Sequence, residues 1–211
     1  MKRFLTPLLI GALALSATAC VDDIAAPPPP PVLSELINYW HFNTLPAGTL
    51  TSVPADVSKY TTAAITYPGT GLGYMDNVDP GTTTNAQQNA PAGLGLRPRN
   101  PSNTRELIIV APSTGYEKLT VSFAVMKSSA TSAADQQEFY YSANGGTTWT
   151  LAGTAYTPEL DYTTKTIDLT AVTAVNDNAN LRFRILFTGP LAAGASGNHR
   201  FDNFAVIGFK K

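Results

Sequence analysis

The sequence predicts an all-β protein, a single jelly-roll β-sandwich of about eight or nine antiparallel strands, and three observations carry that prediction. The last quarter of the chain holds two apolar runs, Leu181 to Phe187 and Arg200 to Phe209, joined by a Gly/Ala/Ser loop. No stretch keeps a helical period long enough to build a bundle. Charged residues make up only 14% of the chain and Thr and Tyr are common, the composition of a sandwich surface. Within the closing pair, Leu181, Phe183, Ile185 and Phe187 alternate with Arg182, Arg184 and Leu186. That is the period of two of a strand with one face in a core and one largely wet. The partner run, Phe201 to Ile207, is apolar on both faces and suits a central strand covered on both sides. Two such strands cannot bury their own faces, so earlier strands must complete the sandwich.

Taken in order, the chain opens with Lys2 and Arg3, an apolar stretch from Phe4 to Leu15, and the small residues Ser16-Ala17-Thr18-Ala19. This is the layout of a secretory signal, expected over residues 1–19. Cys20 is the sole cysteine, so no intrachain disulfide can form. Residues 20–34 include five prolines from Pro27 to Pro31 and read as a stiff extended spacer of about 3.1 Å per residue. The sandwich is then expected over residues 35–211. Ile37 to Phe42 is its first strand, with Trp40 and Phe42 on one face and Tyr39 and His41 on the other. From Thr49 to Pro101 the sequence is rich in Gly, Pro, Thr and Asn and reads mostly as loop, with short extended pieces at Ala63 to Tyr67 and Leu94 to Arg97. Gly69-x-Gly71-x-Gly73 is a flexible turn here, since no helix follows to make it a phosphate loop. Loops this long are functional more often than idle.

Glu106 to Val110 follows, then Leu119 to Met126, which points Leu119, Val121, Phe123 and Val125 inward. Glu138 to Ser142 and Thr147 to Leu151 flank Asn144-Gly145-Gly146, a hairpin connection that supplies positive φ cheaply. Tyr162 to Leu169 alternates again, and Thr173 to Asn180 turns into the closing pair.

A net charge of −1 offers no basic stripe, so nucleic acid is not an expected partner. Catalysis has little to stand on: two histidines, His41 and His199, no Gly-x-Ser-x-Gly elbow, and a carboxylate pair, Glu159 and Asp161, beside a turn proline. No enzyme is expected. Zinc is disfavoured for want of cysteines and paired histidines. Sugar binding uses aromatic faces that stack on pyranose rings and polar groups that bond the hydroxyls. The candidates for it are Tyr74, Tyr140 and Trp149, with Arg97, and the domain is expected to be a monomer.

Ala17-Thr18-Ala19-Cys20 resembles a bacterial lipobox, with Ala17 where that family usually has Leu. The resemblance implies that Cys20 is lipidated and anchors the chain to a membrane. Val21-Asp22-Asp23 looks like the acidic export signal of Bacteroidetes-type surface lipoproteins, which implies the outer face of the outer membrane. Trp40-His41-Phe42-Asn43, the stretch from Tyr141 to Thr150, and Asn198 to Val206 resemble a jelly-roll domain of Bacteroidetes-type secreted and surface proteins. That domain is similar in layout to galactose-binding-like and carbohydrate-binding modules. The implied function is non-catalytic binding of an extracellular glycan or polymer; the alternative is a structural or protein-interaction module of a surface assembly. The same resemblance implies a structural calcium ion at Asp202, with Asn43 or a nearby carbonyl as partner and most ligands from backbone or water. Against it stands a reading in which Asp202 and Asn203 only cap backbone groups at a strand start.

Overall fold

The computed structural model describes residues 33–211; the signal segment, Cys20 and the proline run lie outside them. Among the described residues, thirteen strands form two antiparallel sheets that pack as a sandwich. The seven-stranded sheet contains β1 (Ser34–Trp40), β3 (Val57–Ser58), β5 (Met75–Val78), β6 (Gly95–Pro98), β8 (Tyr116–Lys127), β11 (Thr163–Leu169) and β13 (His199–Lys210). The six-stranded sheet runs β10 (Thr150–Leu151), β9 (Gln136–Ser142), β12 (Arg182–Thr188), β7 (Glu106–Val110), β4 (Ala64–Thr66), β2 (Val53–Pro54). The all-β jelly-roll expectation holds. The strand count exceeds it because the Thr49 to Pro101 stretch contains β2 to β6, each only two to four residues long. A strand that short shows too few alternations to be read from sequence.

The core is built as the alternation requires. Leu181, Phe183, Ile185 and Phe187 are all no more than 3% exposed. Phe123 of β8 stacks on Phe204 of β13, centroids 4.9 Å apart and planes 2° apart, and on Phe139 of the opposite sheet at 6.1 Å. Trp40 and Phe42 enter this core, while Tyr39 and His41 meet edge to face on the other side of the first strand. As expected, β13 is central, between β8 and β1, and buried on both faces. The ladder of β13 with β8 shifts register between Asp202 and Ala205, where Asn203 takes a φ of 50°. Asn tolerates that left-handed conformation, and the bulge lets Phe201 and Phe204 both reach the core.

The two outer faces differ. That of the seven-stranded sheet is covered at its centre by residues 79–94, a loop whose neck is drawn together by Gly81 N–H donating to the Gly93 carbonyl at 2.8 Å, while Thr164, Thr166 and Asp168 of β11 stay exposed. Asn203 donates its amide to the carbonyls of Thr82 and Thr84, and Gln87 N–H donates to the Tyr39 hydroxyl. Beneath the loop Ala124, Asp202, Asn203 and Ala205 are fully buried. Among the described residues the outer face of the six-stranded sheet has no such cover: Arg182, Arg184, Leu186, Glu106 and Tyr140 are all partly exposed.

Candidate functional site

Antiparallel register sets the floor of the site. Arg184 of β12 lies opposite Tyr140 of β9 and Ile108 of β7, so the three side chains form one row across the outer face. The Arg184 guanidinium is 4.5 Å from the Tyr140 ring centroid and 4.6 Å from that of Trp149. One cation therefore holds two aromatic rings, each contact contributing about 0.5–2 kcal/mol. Arg184 Nη1 also donates to Glu106 Oε2 at 3.2 Å, and the Tyr140 hydroxyl donates to Glu138 Oε2 at 2.6 Å. That bond to Glu138, with partial burial, raises the Tyr140 pKa, so the hydroxyl stays protonated.

Trp149 is placed by the β9–β10 turn. Ser142 Oγ donates to Asn144 Oδ1 and accepts from Gly146 N–H, each at 2.9 Å, while Asn144 Oδ1 also accepts from Thr148 N–H. Gly146 sits at φ 93°, and a Cβ there would come within 3.3 Å of the Trp149 ring. The Asn-Gly-Gly signal thus sets the turn and leaves room for the indole. Leu151, 44% exposed and opposite Tyr140 in register, extends the apolar edge.

Beyond Glu106 the face runs into a cleft of about 210 Å3 lined by Gly69, Thr104, Arg105, Glu106 and Leu186. Gly69 is bare backbone against the Thr104 carbonyl, where a Cβ would come within 2.2 Å. Arg105 donates to the Tyr67 and Gly71 carbonyls at 2.8 and 3.1 Å, which pins the Gly69 to Gly73 turn in place. It is also a wall of a second cleft of about 320 Å3 with Thr66, Tyr67 and Tyr74. Over Tyr74 lies the Arg99 guanidinium, 5.2 Å from the ring centroid. Arg99 and Arg97 both grip the Asp76 carboxylate at 2.8 to 3.2 Å. Burial alone would raise the Asp76 pKa, but the hydrogen bonds and charges of the two arginines outweigh it and hold the carboxyl below its ordinary range.

The four sequence candidates therefore fall into two groups. Tyr140 and Trp149 meet around Arg184; Tyr74 and Arg97 meet through Arg99 and Asp76, with Arg97 spent on that carboxylate. Arg105 links the groups as the wall common to both clefts. Sequence reasoning missed Arg184, Glu106 and Arg105. The wet alternation of Arg182 and Arg184 was the available signal, but it does not say which strands lie alongside.

Asn43 and Asp202, the residues expected at a calcium ion, hold the neck of the 79–94 loop. Asp202 Oδ2 accepts from Thr82 N–H and Oδ1 from Asn203 N–H, both at 2.7 Å. Asn43 Oδ1 accepts from Leu94 N–H, and its amide donates to the Pro91 carbonyl, both at 2.9 Å. Each of these oxygens accepts an N–H, and among the described residues no group of three or more His, Cys, Asp or Glu side chains that could hold a metal ion is found. Burial pushes the Asp202 pKa up to about 7 despite its two N–H donors. The two histidines play no part in the outer face. His41 pairs with Asp56 at 3.6 Å, and His199 is buried.

No family model and no curated protein sequence matches this chain. Solved structures do. The N-terminal CBM22-1–CBM22-2 tandem domain of Xyn10C from Paenibacillus barcinonensis is 12% identical, with 87% of this chain and 48% of that chain covered and a TM-score of 0.50. An arabinose-bound α-L-arabinofuranosidase, MgGH51, is 13% identical over 83% of this chain and 28% of its own, also at 0.50. The family 11 carbohydrate-binding module of the cellulosomal cellulase Lic26A-Cel5E of Clostridium thermocellum is 12% identical over 84% and 96%, at 0.48. This chain spans about half or less of the first two proteins. At such identities the similarity is one of fold, that of a carbohydrate-binding-module-like jelly roll.

Proposed function

We propose that this domain binds an extracellular glycan on the outer face of the six-stranded sheet, without catalysing a reaction on it. The observation that carries the reading is the Tyr140–Arg184–Trp149 array, two aromatic rings fixed by one cation on a face that, among the described residues, is left partly exposed. Rings fixed in advance lose little entropy when a sugar stacks on them, and Glu106, Glu138 and Arg184 offer hydrogen bonds to hydroxyls at the same level. The reading as a binder rather than an enzyme is supported by Glu159 and Asp161, both exposed on the loop before β11.

The test is affinity electrophoresis of the full chain through gels containing neutral or acidic polysaccharides. Tyr140→Ala and Trp149→Ala are each expected to weaken retardation about tenfold or more, about 1.4 kcal/mol, with the melting temperature little changed because both side chains lie outside the core. Full retardation of both variants would contradict the assignment.

We further propose that the chain is held at the outer face of the outer membrane through lipidated Cys20, with the prolines as a spacer. The supporting observation is the lipobox-like Ala17-Thr18-Ala19-Cys20 after an apolar segment. Acyl chains contribute about 0.8 kcal/mol per buried CH2, and two or more give stable anchoring. Cys20→Ser is expected to move the protein from the detergent phase to the aqueous phase. Unchanged partitioning, with no acyl mass on the N-terminal peptide, would refute the anchor.

A further inference from the structure

The path from Trp149 past Arg184 and Arg105 to Tyr74 is positively charged on a chain of net charge −1. Five arginines lie along it, Arg182, Arg184, Arg105, Arg99 and Arg97, against three carboxylates. Each carboxylate is already engaged: Asp76 by two arginines, Glu106 by Arg184, and Glu138 by the Tyr140 hydroxyl. Among the described residues neither Arg182 nor Arg105 pairs with a carboxylate. These two mark the ends of the aromatic row. Arg182 lies one outward position before Arg184 on β12, and its Nη1 is 3.6 Å from where a Cβ on Gly146 would stand, beside Trp149. Arg105 borders Leu186, one outward position beyond Arg184, in the cleft. From Arg182 to Leu186 the strand advances about 13 Å, so the two arginines that lack a carboxylate partner lie toward opposite ends of the row.

We propose that the glycan is anionic, a polysaccharide bearing carboxylates on its sugar rings, with Arg182 and Arg105 as the groups that read the charge. This rests on the glycan reading above and names the substrate class within it. A planar guanidinium matches a carboxylate in a two-pronged hydrogen bond that a hydroxyl cannot make. Arg182 is the one placed to form it, while Arg105, whose Nη1 and Nη2 already donate to the Tyr67 and Gly71 carbonyls, adds positive charge, so the pair selects acid over neutral chains while the rings bind either.

The experiment compares polygalacturonate and alginate with their carboxyl-reduced counterparts, and with neutral xylan and a sulfated galactan, in affinity gels run on the full chain in mild detergent. The expected result is retardation by a carboxylated polymer at least about tenfold stronger than by its reduced form, and weakening with added salt as exposed charges are screened. Arg182→Glu is expected to remove that preference while leaving the melting temperature unchanged. Arg182→Gln, which keeps a polar side chain of similar reach, should remove most of it, and Arg105→Gln should weaken the same polymers. Equal retardation by acid and reduced forms, a preference that survives Arg182→Glu, or binding confined to the sulfated polymer would overturn the carboxylate assignment and leave glycan binding standing. No retardation by any polymer would overturn both.

Discussion

Phe123→Ala is expected to destabilise the domain by about 3–5 kcal/mol, the range for removing a fully buried ring from a close-packed core. Phe123 is 0% exposed and contacts three other rings, Phe139, Phe201 and Phe204. Two of these share its sheet and one comes from the opposite sheet, so the cavity would open at the centre of the sandwich, where β8 and β13 are locked in register and cannot collapse inward. Urea unfolding followed by tyrosine and tryptophan emission would measure the loss. A change under about 1 kcal/mol would mean that the two sheets do not meet at this ring.

The second large effect concerns pH, and it arises from two buried groups that act in opposite directions. The His199 ring donates Nε2–H to the Ala134 carbonyl at 3.1 Å and accepts at Nδ1 from Gln137, whose amide oxygen takes the Tyr156 hydroxyl. Burial pushes its pKa down to about 4 from 6.5. Between those values the unfolded chain binds a proton that the folded protein refuses, so stability is lost as pH falls. Asp202 is raised by burial from 3.8 to about 7. Across that window the folded protein holds a proton that the unfolded chain has released, so stability is lost as pH rises. The two slopes offset each other, and the wild-type protein should show a nearly flat stability from about pH 4.5 to 6.5. Asp202→Asn removes one of them. Its stability should be lower overall, because the amide cannot accept from both Thr82 and Asn203, and should climb by roughly 2–3 kcal/mol between pH 4.5 and 6.5 as His199 alone remains. Denaturant titrations at four pH values would show it. A flat profile in Asp202→Asn would mean that His199 does not supply the rise, and a wild-type profile that climbs as steeply as the variant's would mean that the Asp202 carboxyl is not carrying the offsetting proton.

Much of this architecture could be read from the chain. The alternation in Leu181 to Phe187 and in Leu119 to Met126 reports burial directly, because one face of each strand meets the other sheet and one does not. The doubly apolar Phe201 to Ile207 likewise announced a central strand. What could not be read was adjacency. Tyr140 and Arg184 become neighbours through a pairing across 44 residues of sequence, and nothing in either strand names the other. The same limit hid the short strands between Thr49 and Pro101, whose pairing is set by the longer strands they lean on. The calcium expectation came from the resemblance instead; Asp202 and Asn43 do hold the neck of one loop, where their oxygens accept N–H groups. Of the chosen ligand residues, Tyr140 and Trp149 lie on the open face because a polar turn and a half-wet strand supply them, whereas Arg97 is committed to Asp76, a partner 21 residues away.

The central claim is that the open face around Arg184 is where a glycan sits, and the emission of Trp149 reports on it. The chain has two tryptophans, and Trp40 is 0% exposed in the core. Titrating the protein with the polysaccharide that retards it most should change the emission saturably, and the change should vanish in Trp149→Phe and weaken about tenfold or more in Tyr140→Ala. Undiminished retardation with an emission that never moves would place the ligand elsewhere on the domain and contradict the account.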